Sequence, residues 1–128
     1  MQPKELVAAA RRAEQRAYSP YSQIRVGAAL LCYSGKVFTG ANIENASLGL
    51  TVCAERVAVF NAIHAGERDF EAIAISSSQP GFIFPCGACL QVLVEFAPGI
   101  RVVVADEQDN WQEFKLNELL PRSFALGG

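Results

Sequence analysis

No apolar run in this chain approaches the roughly 20 residues that a helix needs to cross a bilayer, so nothing in it is expected to span a membrane. Basic runs are missing too. Apart from the pair Arg11-Arg12 the lysines and arginines are scattered, and the net charge is −2. That leaves no electrostatic footprint for a polyphosphate backbone, which excludes a nucleic-acid polymer as the expected partner. The opening Met1-Gln2-Pro3-Lys4-Glu5 runs into an alanine-rich, charged stretch instead of the apolar centre of an export signal, so a cytoplasmic location is expected. Neither a repeat nor a low-complexity linker divides the 128 residues, a length that suits one domain over 1–128. Histidine is nearly absent, with His64 alone, and cysteine is limited to four. In a cytoplasmic chain those four point to metal binding or catalysis rather than to disulfides.

What is present reads as alternating helices and strands. Pro3 can open a helix running to about Ala17, with Leu6, Val7, Ala10, Ala13 and Ala17 on its buried side. Tyr18-Ser19-Pro20-Tyr21-Ser22 is turn chemistry. Val26 to Tyr33 and Lys36 to Ile43 are strand-like runs around Ser34-Gly35, a two-residue link that suits an antiparallel hairpin. Asn45 to Leu50 reads as a loop. Thr51 is a possible N-cap for a helix over Val52 to Ala65, with Gly66 as its end and Val57, Phe60, Ala62 and Ile63 as expected core contacts. Phe70 to Ser76 reads as a buried strand, Cys86 to Phe96 as a helix with Pro85 just before it, and Ile100 to Ala105 and Trp111 to Lys115 as strands either side of a polar turn. Leu116 to Leu120 fits one helical turn stopped by Pro121. This order predicts an α/β fold with helices covering a mixed five-stranded sheet.

The chemistry concentrates in Cys53-Ala54-Glu55 and Pro85-Cys86-Gly87-Ala88-Cys89. Cys86 and Cys89 lie one helical turn apart and can grip one ion, with Cys53 supplied by another helix. Three protein ligands leave a coordination position open, as in catalytic zinc sites, whereas structural sites are closed by four. Both segments start helices, whose positive ends favour anionic thiolates. A fourth ligand would have to be His64 or Cys32. His64 is eleven positions past Cys53, about 16 Å along a continuous helix, and is out of reach. Cys32 sits in a predicted strand, where burial as a small hydrophobe is the default but spacing leaves ligation open. Glu55 at a helix start can serve the dipole alone, yet beside three cysteines it reads as the acid/base of the zinc-deaminase signature. Arg56 is either a solvated helix residue or a cation that offsets three thiolates around zinc.

Taken together the chain resembles the small, homotetrameric cytidine deaminases. The resemblance runs through Ser19-Pro20-Tyr21-Ser22, Val26-Gly27-Ala28-Ala29-Leu30, Asn42-Ile43-Glu44-Asn45-Ala46, Cys53-Ala54-Glu55-Arg56, Pro85-Cys86-Gly87-Ala88-Cys89 and Leu119-Leu120-Pro121. It implies the three-layer α/β/α fold of that family, Zn2+ held by Cys53, Cys86 and Cys89, and Glu55 as the proton shuttle. It further implies ribose contacts from Asn42 and Glu44, with Ile43, Ala54 and Ile24 also at the nucleoside. Phe124 matches an aromatic that reaches a neighbouring subunit's active site in a tetramer with shared sites. The implied substrate is a free pyrimidine nucleoside, cytidine or 2′-deoxycytidine, deaminated hydrolytically in pyrimidine salvage.

Three positions depart from that family pattern. Ile24 stands where an aromatic usually meets the base, Leu48 where tyrosine is frequent, and Leu90 where arginine commonly follows the cysteine pair. None touches the metal ligands or Glu55, so altered affinity is expected and not lost chemistry. A deaminase of another aminated ring, or a zinc-binding module closed by Cys32, are the competing readings. The Asn42-Glu44 pair favours a free nucleoside over the first, because an amide and a carboxylate can satisfy a sugar diol.

Overall fold

The hairpin around Ser34-Gly35 seeds the sheet. Gly35 takes a φ of 92°, in the left-handed region that glycine enters without penalty, and the turn is closed by Gly35 N–H to Cys32 C=O and Cys32 N–H to Lys36 C=O. In this computed structural model, which describes residues 1–127, the arms are β1 (Val26–Cys32) and β2 (Val37–Ala41), preceded by α1 (Pro3–Ala13). There follow α2 (Ala54–His64), β3 (Phe70–Ser77), α3 (Gly87–Phe96), β4 (Arg101–Ala105), β5 (Trp111–Lys115) and α4 (Leu116–Leu119). The sheet runs β2-β1-β3-β4-β5. Only β3 and β4 are parallel, with α3 as their crossover, and the other pairs are antiparallel. No helix among the described residues is long and apolar enough to cross a membrane.

Strand alternation divides the core into two layers. Ala28, Leu30, Ile73, Ile75, Val102 and Val104 pack with α2 and α3, while Ala29, Leu31, Ala72, Ala74, Val103 and Ala105 pack against Leu6, Val7 and Ala10 of α1. The small side chains on the α1 face let that helix lie close. Arg11 then bonds the carbonyls of Ser77 and Asp106 at 2.9 and 2.6 Å and the carboxylates of Glu14 and Asp109 at 3.1 and 2.8 Å, clamping α1 onto the carboxyl ends of β3 and β4.

The strands end within two residues of the sequence expectation, with β2 stopping at Ala41 instead of Ile43, and three helix boundaries and one face differ from it. α1 stops at Ala13 and Glu14–Arg16 tighten into a 3-10 turn, with Ala17 extended, because the chain must swing into the Ser19-Pro20 turn. Thr51 is not the cap of α2. Val52 is held extended by a reciprocal pair of backbone bonds to Ile43, so Cys53 becomes the N-cap. Likewise Cys86, at φ −74° and ψ 168°, caps α3 instead of being its first helical residue. Phe60, expected in the core, is 49% exposed; the buried face of α2 is Ala54, Glu55, Ala58, Val59 and Ala62. The apolar residues of α2 are spread round the helix without a clean stripe, so its period selects no face, and the alanine face wins because Gly40 of β2 lets the helix backbone approach.

Candidate active site

Strand register fixes where the site forms. Gly27 pairs with Ala41, Val26 with Ser77 and Ile75 with Val104, so the ends of β2, β3 and β4 share one margin of the sheet. From that margin the segment after β2 leads to the start of α2, and the loop after β3 leads to the start of α3. Two helix N-termini therefore converge, and with them three sulfurs.

Cys53 Sγ lies 3.9 Å from Cys86 Sγ, Cys86 Sγ lies 3.6 Å from Cys89 Sγ, and the three fall within 4.8 Å of one another. Two sulfurs at 2.3 Å from a tetrahedral zinc are about 3.8 Å apart, so the trio fits that ion. All four cysteines are free thiols. Hydrogen bonding from Cys89, then from Arg56, pulls the Cys53 thiol down to about 5, while Cys89 is pushed up by donating to Cys53 and by burial. The donor set thus holds one negative charge readily and resists a second. A divalent cation is what allows all three to ionise. Arg56 Nη2 sits 3.5 Å from Cys53 Sγ, and that contact raises the pKa of the guanidinium further.

Glu55 is 4% exposed. Burial pushes its carboxyl up to about 7, the Cys53 charge adds to that, and Arg56 opposes it. A carboxyl that exchanges a proton near neutrality beside a metal-binding trio is suited to general acid/base work.

Asn42 and Glu44 are brought to the same margin, both buried, and the structure gives them a task that spacing did not reveal. Asn42 Oδ1 accepts from Val26 N–H and its Nδ2 donates to Ile24 C=O, each at 2.9 Å. Glu44 Oε1 accepts the amides of Tyr21 and Ser22 at 2.9 and 3.1 Å, and the Ser22 hydroxyl donates to Oε2. That hydroxyl is the main reason the Glu44 carboxyl is held below the usual range. The pair therefore shapes the Tyr21–Val26 segment, Ile24 included, and still has an amide hydrogen and carboxylate lone pairs to offer a ligand. Ser22 was not singled out from sequence, although the Ser-Pro-Tyr-Ser turn carried it.

Ala54 is fully buried at the first position of α2, while Ile43 is half-exposed in bridges to Tyr18 and Val52. Phe124 is not beside the cysteines. It lines a cleft of about 560 Å³ with Gln91, Val94, Glu95 and Ser123, and its ring is 66% exposed. Leu48 stands exposed in a 3-10 turn, and Leu90 is on the buried face of α3.

Neither alternative fourth ligand joins the cluster. His64 is the last residue of α2, at the far end from Cys53. Cys32 is buried in the layer under α2 and α3, where burial pushes its thiol up to about 11. Cys32→Ala is expected to keep one zinc per chain by atomic absorption while losing about 1 kcal/mol of stability, a small-cavity cost; metal loss in a folded variant would show a four-ligand site.

Three cysteines placed to hold zinc, two of them in Pro-Cys-x-x-Cys at one helix start and the third in Cys-Ala-Glu at another, match the class of zinc-dependent deaminases. Residues 1–106 match the family model described as cytidine and deoxycytidylate deaminase zinc-binding region. The chain is 47% identical to a cytidine deaminase of Halalkalibacterium halodurans over 97% of its length and 95% of the relative's. It is 40% identical to one of Sporosarcina psychrophila over 98% and 93%. Among solved structures, cytidine deaminase from Burkholderia pseudomallei superposes with a TM-score of 0.93 at 46% identity, covering 97% of this chain and all of that one. That of Mycobacterium tuberculosis gives 0.86 at 36%, covering 98% and 99%. The chain belongs to the cytidine and deoxycytidylate deaminase family.

Proposed function

We propose that this chain, acting as one domain over 1–128, catalyses the hydrolytic deamination of free cytidine and 2′-deoxycytidine to uridine and 2′-deoxyuridine with release of ammonia, in cytoplasmic pyrimidine salvage. The observation that carries this reading is the Cys53-Cys86-Cys89 trio with a buried Glu55 two positions from its first member. Cys53, Cys86 and Cys89 hold zinc. Bound there, zinc supplies a Lewis acid that brings the pKa of water toward neutrality.

The chain's own residues do the rest. Glu55 takes a proton from the attacking water and passes it to N3 of the ring as the water oxygen bonds to C4. It then takes the proton left on that oxygen and gives it to the amine, the C4–N bond breaks, and ammonia leaves a C4 carbonyl behind. Arg56, by bonding Cys53, draws negative charge from the thiolate cluster and so preserves the metal's acidity. Asn42 and Glu44 orient the ribose hydroxyls, with Ile43, Ala54 and Ile24 against the nucleoside.

A homotetramer with shared sites accounts for surface that one chain leaves uncovered: Phe60 on the outer side of α2, Leu48 and Leu50 in an exposed turn, and Phe124. Phe124 meets the nucleoside of a neighbouring copy. The test is zinc per chain together with ammonia release from cytidine; a zinc-loaded protein inert toward cytosine nucleosides would refute the assignment. Ile24→Phe, which restores an aromatic, is expected to lower KM for cytidine about two- to tenfold with kcat unchanged, the range of one aromatic contact. A KM that stays put would remove Ile24 from the base site.

A further inference from the structure

Among the described residues the chain beyond α4 has no helix or strand, and only one hydrogen bond reaches 121–127. Gln91 Nε2, on α3, donates to the backbone carbonyl of Phe124 at 2.9 Å. Beneath that bond the tail arches over Gln91, Val94, Glu95 and Pro98 without closing the cleft. Phe124 is 66% exposed, so the tether fixes backbone while leaving much of the side chain free to meet something else. The same helix carries Cys89 two residues earlier.

We infer that Gln91 is a positioning residue for nucleoside binding: its amide pins the Phe124 backbone to α3 and sets where the Phe124 ring is presented to a neighbouring copy. This rests on the reading of Phe124 as a contact to that copy's nucleoside. The tail is ordered by a single polar bond, and losing it releases Phe124 into many conformers of which few present the ring. The consequence falls on substrate affinity. Glu55 and the cysteines keep their places, so the chemical step does not change.

The experiment is a double-mutant cycle on the zinc-loaded enzyme with Gln91→Glu, Phe124→Ala and the double variant. Glutamate is isosteric with glutamine but, ionised, only accepts hydrogen bonds, so it removes the donor without removing the packing. Expected are one zinc per chain in every variant, a KM for cytidine about three- to tenfold higher in Gln91→Glu, the span of one hydrogen bond's net contribution, and kcat within about twofold of wild type. The double variant should be no worse in KM than Phe124→Ala alone. Should Gln91→Glu fail to fold, Gln91→Ala takes its place in the cycle. A wild-type KM in Gln91→Glu, or effects that simply add, overturns the tether while leaving the Phe124 reading in place. A wild-type KM in Phe124→Ala removes the Phe124 reading itself, and the tether's role with it.

Discussion

Glu55→Gln is expected to yield a folded protein with its full zinc content that releases ammonia from cytidine about 10⁴-fold more slowly than wild type, the upper end of what a positioned acid/base supplies. Glutamine keeps the volume and the hydrogen-bonding shape of the side chain but can neither take nor return a proton. The effect is placed at the upper end because one carboxylate serves two transfers, to N3 and to the departing amine. The cysteines are untouched, so metal content separates this outcome from a collapsed site. Stability should not fall. Glu55 is 4% exposed, and burial disfavours its charged form, so a neutral isostere removes a cost instead of adding one. Steady-state ammonia release, zinc per chain and thermal melting are the three readings. A zinc-loaded Glu55→Gln with more than about a hundredth of wild-type activity would fall short even of a modest acid/base contribution and would sink the shuttle.

Gly40→Ala is expected to be one of the two most damaging one-methyl changes in the chain, with Gly27→Ala the other. A Cβ at position 40 would stand 2.4 Å from Ala58 N, 2.6 Å from Ala54 O and 3.0 Å from Val57 C. All three are backbone atoms of α2, with no side chain to rotate aside, so the helix itself must lift from β2. Overpacking a core costs about 1–3 kcal/mol when side chains can yield; against rigid backbone a loss of about 3 kcal/mol or more is expected. Lifting α2 also carries Cys53 and Glu55 away from Cys86 and Cys89, so zinc affinity should drop with stability. Gly99→Ala is the control, since a Cβ there meets nothing within 4 Å. Denaturant midpoints and zinc titration decide the matter. A Gly40→Ala protein as stable and as metal-replete as the control would show that α2 is not seated on that glycine.

These two residues mark the limits of what was legible beforehand. Glu55 could be proposed because its signal is local: two positions after a cysteine, at a helix start, in a chain with a second cysteine pair. Gly40 gave no such signal. It lies inside an ordinary strand, and its importance comes from a helix that arrives from elsewhere. Phe60 failed for the same reason in reverse, since a helix whose apolar residues cover a broad arc does not say which side meets the sheet. Asn42 and Glu44 could be singled out as candidates, but their partners could not: the bonds to Val26, Ile24, Tyr21 and Ser22 cross from one segment to another.

The amino-acid sequence by itself determined the candidate ligand set, the candidate acid/base, the hairpin turn and the order of helices and strands, because these rest on residue types at short, covalently fixed spacings. Tertiary structure alone decided that the starts of α2 and α3 converge to bring three sulfurs within 4.8 Å, that an alanine face and not Phe60 enters the core, and that Phe124 is held away from its own cysteines. Such outcomes depend on which surfaces pack together across distant segments, and packing is settled by the shape and volume of the whole chain and not by any local pattern within it.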